Sequence, residues 1–266
     1  MKRALPPIRL RTSPLVYMIG QVRISPVVAI EKYIPEIQEQ LRHKGFPRFV
    51  KGQIQEFRFE IDAAPKAHAI DRYEFQNKEG TSGITLATDF ISLHTSKYEV
   101  NEKFEETFGI VLTIIHEVVS LSLVERIGLR YINLIRLNTG EKFSDYLQPG
   151  LLGLEDEKLG VQKSLSRFEL VGVTDVGKLV VRYSQSDNGT FLPPDLVPSP
   201  LKHDIQIPTG EKVAFLDLDH FSEESHDFEA GSVIETLRHL HGNLDRTFRS
   251  AVTEAALQKW GSEVVT

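Results

Sequence analysis

The sequence predicts an α+β fold made of two similar halves, each running strand, helix, antiparallel strands, helix. Three observations lead there. Some segments alternate apolar and polar residues with the period of two that marks a half-buried strand, and others carry apolar residues at the i, i+3, i+4, i+7 spacing of a helix face. The two kinds of segment follow one another in a similar order twice along the 266 residues. The composition, 41% hydrophobic and 26% charged, is that of a globular chain long enough for one large core or two modest ones.

In the first half, residues 1–124, Leu15 to Ile24 is rich in β-branched and apolar residues and is closed by Ser25-Pro26, which predicts a strand. Ile30, Tyr33, Ile34, Ile37 and Leu41 then share one face of a helix that stops near Gly45. Pro35 sits inside that pattern and lacks a backbone donor, so a kink or a later helix start is expected. Strands are predicted at Gln53 to Glu60 and Arg72 to Asn77, where aromatic and polar residues alternate. Gly83 to Tyr98 is too long for one ordinary strand and predicts a bent pair or a strand broken near Asp89. Asn101 suits an N-cap, and Phe104, Phe108, Val111, Ile115 and Val118 form the buried stripe of the helix behind it.

The second half, residues 125–266, opens with a predicted strand from Arg126 to Leu137 and a short helix around Phe143 to Leu154. Strands follow at Ser166 to Thr174, Lys178 to Ser184 and Val213 to Asp219, with Asp175-Val176-Gly177 as a hairpin turn whose glycine is free to take a positive φ. A helix is expected from Ser232 to about Trp260. Ser232 and Glu235 have capping-box spacing, and Leu237, His241, Leu244, Phe248, Ala251 and Ala255 make its stripe. Thr190 to Thr209 carries five prolines between 193 and 208 and reads as an irregular segment, either a packed cover over the sheet edge or a binding loop.

This element order is similar to that of the TATA-box-binding-protein type of fold and, for a single half, to helix-grip folds. The likeness implies a duplicated unit and a curved antiparallel sheet, continuous across both halves, with long helices on one face and the other face open. A plain two-domain chain is the alternative.

Composition removes several function classes. The chain has no cysteine, which excludes disulfides, thiolate metal sites and cysteine nucleophiles and fits a reducing compartment. The N-terminal residues lack the apolar run of a signal peptide, and no stretch is apolar enough to span a bilayer, so a cytoplasmic location without membrane contact is expected. The net charge of -6 disfavours nucleic acid as a partner, because neutralising a phosphate backbone needs a clustered basic surface. Lys and Arg number 18 against 16 acidic residues through Asn133, and 13 against 21 after it, which leaves the second half acidic. The phosphate-loop, dinucleotide, nucleophile-elbow and zinc-protease signatures do not occur.

Three groups of side chains have chemistry to offer. Asp217 and Asp219 project from one face of their strand, with His220 on the other, and suit either a divalent metal or acid-base work. Arg126, Gly128 and Arg130 share one strand face, so the guanidinium forks can meet a phosphate or carboxylate, or pair internally with Asp217 and Asp219; internal pairing is the preferred reading. His241 falls in the apolar stripe of the last helix and reads as a hydrogen-bonded core histidine. His239, two residues earlier, diverges too far around the helix to share a metal with it.

Several stretches taken together carry a resemblance. Pro14-Leu15-Val16 with Val22-Arg23-Ile24, the octet Arg126-Ile127-Gly128-Leu129-Arg130-Tyr131-Ile132-Asn133, Leu216-Asp217-Leu218-Asp219, and Leu240-His241 followed by Phe248 and Thr253 resemble a sporadically distributed family of uncharacterised prokaryotic proteins of this length. Members of that family often have glutamates in the first strand, where this chain has Tyr17 and Gln21. The resemblance implies Arg130, Asn133, Asp219 and His241 as the places to look. Patchy distribution implies an accessory role, as in defence or toxin-antitoxin modules. The expectation is thus a non-catalytic binding or regulatory protein with a protein partner and no cofactor. The alternatives are a nucleic-acid binder using an open sheet face, and a metal-dependent enzyme acting on a phosphorylated substrate through Asp217, Asp219 and the strand that begins at Arg126.

Overall fold

The structure, a computed structural model, describes residues 8–58, 66–154, 156–161, 165–187, 189, 192–197 and 199–264. In the first half, β1 (Ile8–Leu10) and β2 (Leu15–Ile24) precede a 3-10 turn at Ile30–Tyr33 and α1 (Ile34–His43). Then come β3 (Arg48–Arg58), β4 (Lys66–Gln76), β5 (Ser82–Leu86), β6 (Phe90–Thr95) and α2 (Asn101–Val119). In the second half, β7 (Leu123–Arg136) leads through a 3-10 turn at Phe143–Asp145, α3 (Pro149–Leu152) and α4 (Asp156–Leu159) to β8 (Ser166–Val173). The chain closes with β9 (Lys178–Ser186), β10 (Val213–Ser222), β11 (His226–Asp227), α5 (Ala230–Ala251), α6 (Glu254–Lys259) and β12 (Ser262–Val264).

Local chemistry accounts for most of these elements and for where they depart from expectation. Pro35 lies in the first turn of α1, where its missing N–H costs nothing, and the helical pattern before it winds as a 3-10 turn instead. Gly83 to Tyr98 resolves into the bent pair, β5 and β6. Phe59 and Glu60, at the end of an expected strand, lie outside the described residues, as do Thr190, Phe191 and Pro198 of the proline-rich segment. Asn101 is the first residue of α2 and not its cap. Its amide donates to Glu105 at 2.5 Å, and Arg238 of α5 donates to the same carboxylate at 2.8 Å. The capping box expected at Ser232 gives way to Glu229, whose carboxylate accepts from the backbone of Gly231 and Ser232. The short helix expected around Phe143 to Leu154 is a 3-10 turn followed by the single turn α3.

The long final helix is two. Val252 is extended and bridges to Leu147, and Thr253 restarts the chain as the N-cap of α6, its hydroxyl accepting from the backbone of Ala256 at 3.0 Å. Breaking the helix shifts its phase, so Ala256 and not Ala255 faces the core. Gly177, in the β8–β9 turn, is required by close approach: a Cβ there would collide with the backbone carbonyl of Phe221.

The large sheet is antiparallel in every pairing and runs β3-β4-β5-β6-β2-β7-β10-β9-β8, with β11 added to β7. The boundary expected between residues 124 and 125 falls within β7, next to the central β2–β7 pair. On each side of that pair the first large-sheet strand of a half lies innermost and the strand after its helical connection lies outermost, while β1 pairs with β12 in a separate two-stranded sheet. Four strands flank β2 but three flank β7, so β3 runs parallel to β2 whereas β8 runs antiparallel to β7. Origin by duplication stays an expectation from element order.

One face of the sheet carries the main core. Helices α2 and α5 pack on each other, α5 lies on β7 and β10, and α1 meets α2 and β4. Phe104, Phe108, Leu112 and Ile115 from α2 and Leu237, Leu240 and Leu244 from α5 meet Met18, Val22, Leu129 and Leu218 from the strands. The opposite face was expected to be open, and across its middle it is not. A second apolar cluster joins Tyr17, Ile132, Leu134, Val213 and Phe215 of the central strands to Leu192 and Leu201, with Leu196, Ile205 and Ile207 packed against it. The segment after β9 therefore crosses the centre of the sheet and reaches the first half, where Lys202 N–H donates to the Gly80 carbonyl at 2.8 Å and Gln76 donates to the Pro200 carbonyl at 2.6 Å. The cause lies in β2, β7 and β10, whose middles are apolar on both faces and need cover on both.

Candidate functional site

The expected strand-face residues come together on the second face, beside the crossing segment. β7 supplies Arg126, Gly128 and Arg130 at successive same-face positions, and the antiparallel register sets Arg130 opposite Asp219 of β10. Arg130 takes the diagonal partner Asp217: Nε donates to Oδ1 at 2.8 Å and NH2 to Oδ2 at 2.7 Å, a side-on bidentate pair. Its remaining edge is taken by Asp195, in the 3-10 turn Pro194–Leu196 of the crossing segment, with NH1 to Oδ2 at 2.5 Å. Arg182 of β9 adds a third cation, 3.5 Å from Asp217 and 3.9 Å from Asp219, while its Nε donates to Glu169 of β8 at 2.7 Å.

Arg126 lies at the looser end of the row. It is 3.9 Å from Asp219, 3.5 Å from the Gln21 amide oxygen, and its guanidinium covers the Phe221 ring at 4.2 Å from the centroid. Gly128 leaves room for it, since a Cβ there would stand 2.8 Å from Arg126 NH1.

Burial sets the protonation of this row. It pulls the Arg130 guanidinium down, but the hydrogen bonds that group donates to Asp217 and Asp195 outweigh it and raise the group above its ordinary value. Asp195 is held low by Arg130 against its own burial. Asp219 moves the other way, raised by burial that Arg126 and Arg130 only partly offset. Arg126, buried with a distant partner, is lowered.

The remaining expected residues lie apart from this row. Asn133 is buried in β7 and donates to the Leu216 carbonyl at 3.0 Å. His241 sits on the helical face, its Nδ1 2.7 Å from the Tyr131 hydroxyl, in line with the reading of a hydrogen-bonded core histidine. His220 is also on that face, with Nδ1 toward the Leu240 carbonyl and Nε2 2.9 Å from Thr174. Among the described residues no group of three or more His, Cys, Asp or Glu is placed to hold a metal ion. Among the described residues, cavities of about 300 and 440 Å3 lie away from this row, one beside Tyr98 and Phe104 and another beside Pro14 and Ile205.

Three features escaped sequence reasoning. Asp195 and Arg182 join the row from a loop and an outer strand, with no spacing to announce them. A buried network beside the row links the Tyr17 hydroxyl to His94 Nδ1 at 2.7 Å and His94 Nε2 to Ser92 and Thr85 at 2.7 and 3.1 Å. Burial holds the His94 imidazole neutral, with its pKa down at about 3, and raises the Tyr17 hydroxyl. The third is apolar. Leu159, Val161, Leu165, Leu170, Val171 and Val173 are 47 to 87% exposed, along β8 and the segment leading into it. The signal for it was present, because Phe168, Leu170, Val171 and Val173 break strict alternation, as they would in a strand covered on both faces. No protein-family model matches the chain, and no curated protein matches it.

Proposed function

We propose that the chain is a non-catalytic binding protein that takes a protein partner at the end of the sheet formed by β8 and the segment before it. The exposed apolar row is the observation that carries this reading. Single exposed apolar side chains are ordinary, but six lie on and beside this edge strand, with Val171 and Val173 on one face and Leu170 on the other, so both flanks of the edge are apolar. Among the described strands β8 pairs only with β9, so its outer backbone edge offers hydrogen bonds along the same surface. The resemblance to a sporadically distributed family supports an accessory role beside a toxin or defence effector.

The other readings have less support. Nucleic-acid binding relied on an open sheet face, which the segment from Leu192 to Ile207 crosses. Metal-dependent catalysis relied on Asp217 and Asp219, which arginines already neighbour. Tagged protein in its native host should recover a stoichiometric partner, and Val161→Lys should lose it with no change in circular dichroism or melting. Repeated recovery of the chain with no partner, together with no self-association in solution, overturns the reading.

A further inference from the structure

Resting on that reading, we infer that the occupant of the β8 edge is a second copy of this chain, added antiparallel about a two-fold axis through Phe168. A strand that pairs with itself must be complementary to its own reverse, so each residue i meets one partner fixed by the axis. In β8 the faces are known from the pairing with β9: Phe168 packs toward the helical core opposite Tyr183, and Glu169 on the other face lies opposite Arg182. Arg167, Glu169 and Val171 thus share the second face, and Leu165, one residue before the strand, is in phase with them where the added strand extends the pairing.

The possible axes are few, and charge decides among them. An axis through Phe168 sets Arg167 opposite Glu169 of the second copy, twice, and Leu165 opposite Val171, twice. On the helical face it sets Phe168 against Phe168 and Ser166 against Leu170. An axis through Glu169 puts two carboxylates face to face, which opposes pairing. One through Leu170 sets Glu169 opposite Val171 and Arg167 opposite Val173, burying charges against apolar side chains. One through Val171 again sets Glu169 against an apolar residue, Val173. Only the Phe168 axis among these joins unlike charges and leaves apolar residues with each other.

The flanking chemistry fits the same register. Glu169 is already oriented through Oε2 by Arg182, and its other oxygen can accept from Arg167 of the second copy. Leu165 and Val171, 55 and 60% exposed, lose that exposure together. The large sheet then continues across the axis, which removes an edge that would otherwise invite indiscriminate strand addition.

Absence of cysteine makes the register directly readable. Sedimentation of the unsubstituted chain should show a dimer, and Val171→Lys should weaken it by roughly tenfold or more, since each change counts twice across the axis. Under mild oxidation Phe168→Cys should cross-link to itself. Leu170→Cys should not, because its two copies stand roughly 13 Å apart along the strands. Phe168 packs on the core, so a second pair of variants guards against misfolding: Ser166→Cys mixed with Leu170→Cys should cross-link, and neither should do so alone. A monomer at every concentration overturns the inference, while a different chain recovered in a Val161-dependent manner would leave the binding reading standing. A dimer that cross-links through Leu170→Cys alone, or that Val171→Lys leaves unchanged, also overturns it.

Discussion

Arg130 donates two parallel hydrogen bonds to Asp217, the side chains being only 15 and 5% exposed, and such a pair is worth most as a constraint. Removing one member leaves an uncompensated charge in a poorly solvated place. Asp217→Ala should therefore cost about 3–5 kcal/mol in urea unfolding, and replacing both as Arg130→Met with Asp217→Leu should recover most of that loss. His94 makes a separate prediction. Its folded pKa of about 3 lies below the usual imidazole value of 6.5, so the unfolded chain takes up the proton first. This contribution is fully present above 6.5 and is lost as pH falls toward 3, at up to roughly 1.4 kcal/mol per pH unit. Burial lowers His220 and His241 as well, so they act in the same sense. Asp219, raised by burial, opposes them: its contribution is present at low pH and lost as pH rises through its folded value. The urea midpoint should fall between pH 7.5 and pH 5, and His94→Gln should flatten that slope. The strand spacing made the Arg130 to Asp217 pairing legible, because residues two apart share a face; the Tyr17 to His94 bond joins β2 to β6 and has no local signature.

At the scale of elements, helix periodicity was read well and helix ends poorly. Periodicity reports a face, whereas an end depends on which side chain reaches a free N–H, and Glu229 and Thr253 win that role through tertiary context. Thr253 also donates to the Asp145 carbonyl at 2.6 Å, tying α6 to the turn after β7. Thr253→Ala should cost about 1–2 kcal/mol, seen as a lower melting temperature. The segment after β9 behaves as a packed cover: Leu192 and Leu201 are buried although no regular structure holds them. Leu201→Ala should cost about 2–5 kcal/mol and open residues 187–212 to limited proteolysis before the rest of the chain. Unchanged cleavage in the variant would mean that the cover is held by its backbone bonds instead.

The whole molecule is organised around the contact between its halves. β2 pairs with β7 over most of its length, and α2 packs on α5. The cover then crosses from the second half to the turn between β4 and β5. Each half alone would expose the inner edge of its first strand and the flank of its long helix. Residues 1–121 and 122–266, expressed separately, should remain aggregation-prone and gain native circular dichroism only when refolded together. At the outer end, β8 exposes an apolar edge that nothing in this chain covers among the described residues, and this is where a second copy completes the sheet.

By itself the sequence determined the α+β class, the order of strands and helices, which helix faces turn inward, and that Arg126, Arg130, Asp217 and Asp219 share strand faces. These follow from the periods of two and 3.6, which are local. Only the tertiary structure decided which strands are neighbours, that the second face is crossed by its own proline-rich segment, and that β8 is an edge. A strand apolar on both sides reads the same whether its cover is a helix, a loop or another chain, because alternation records that burial is required and not what supplies it. For β2, β7 and β10 the cover is within the chain; for β8 no described strand supplies it on the outer edge, which is where the proposed second copy would add.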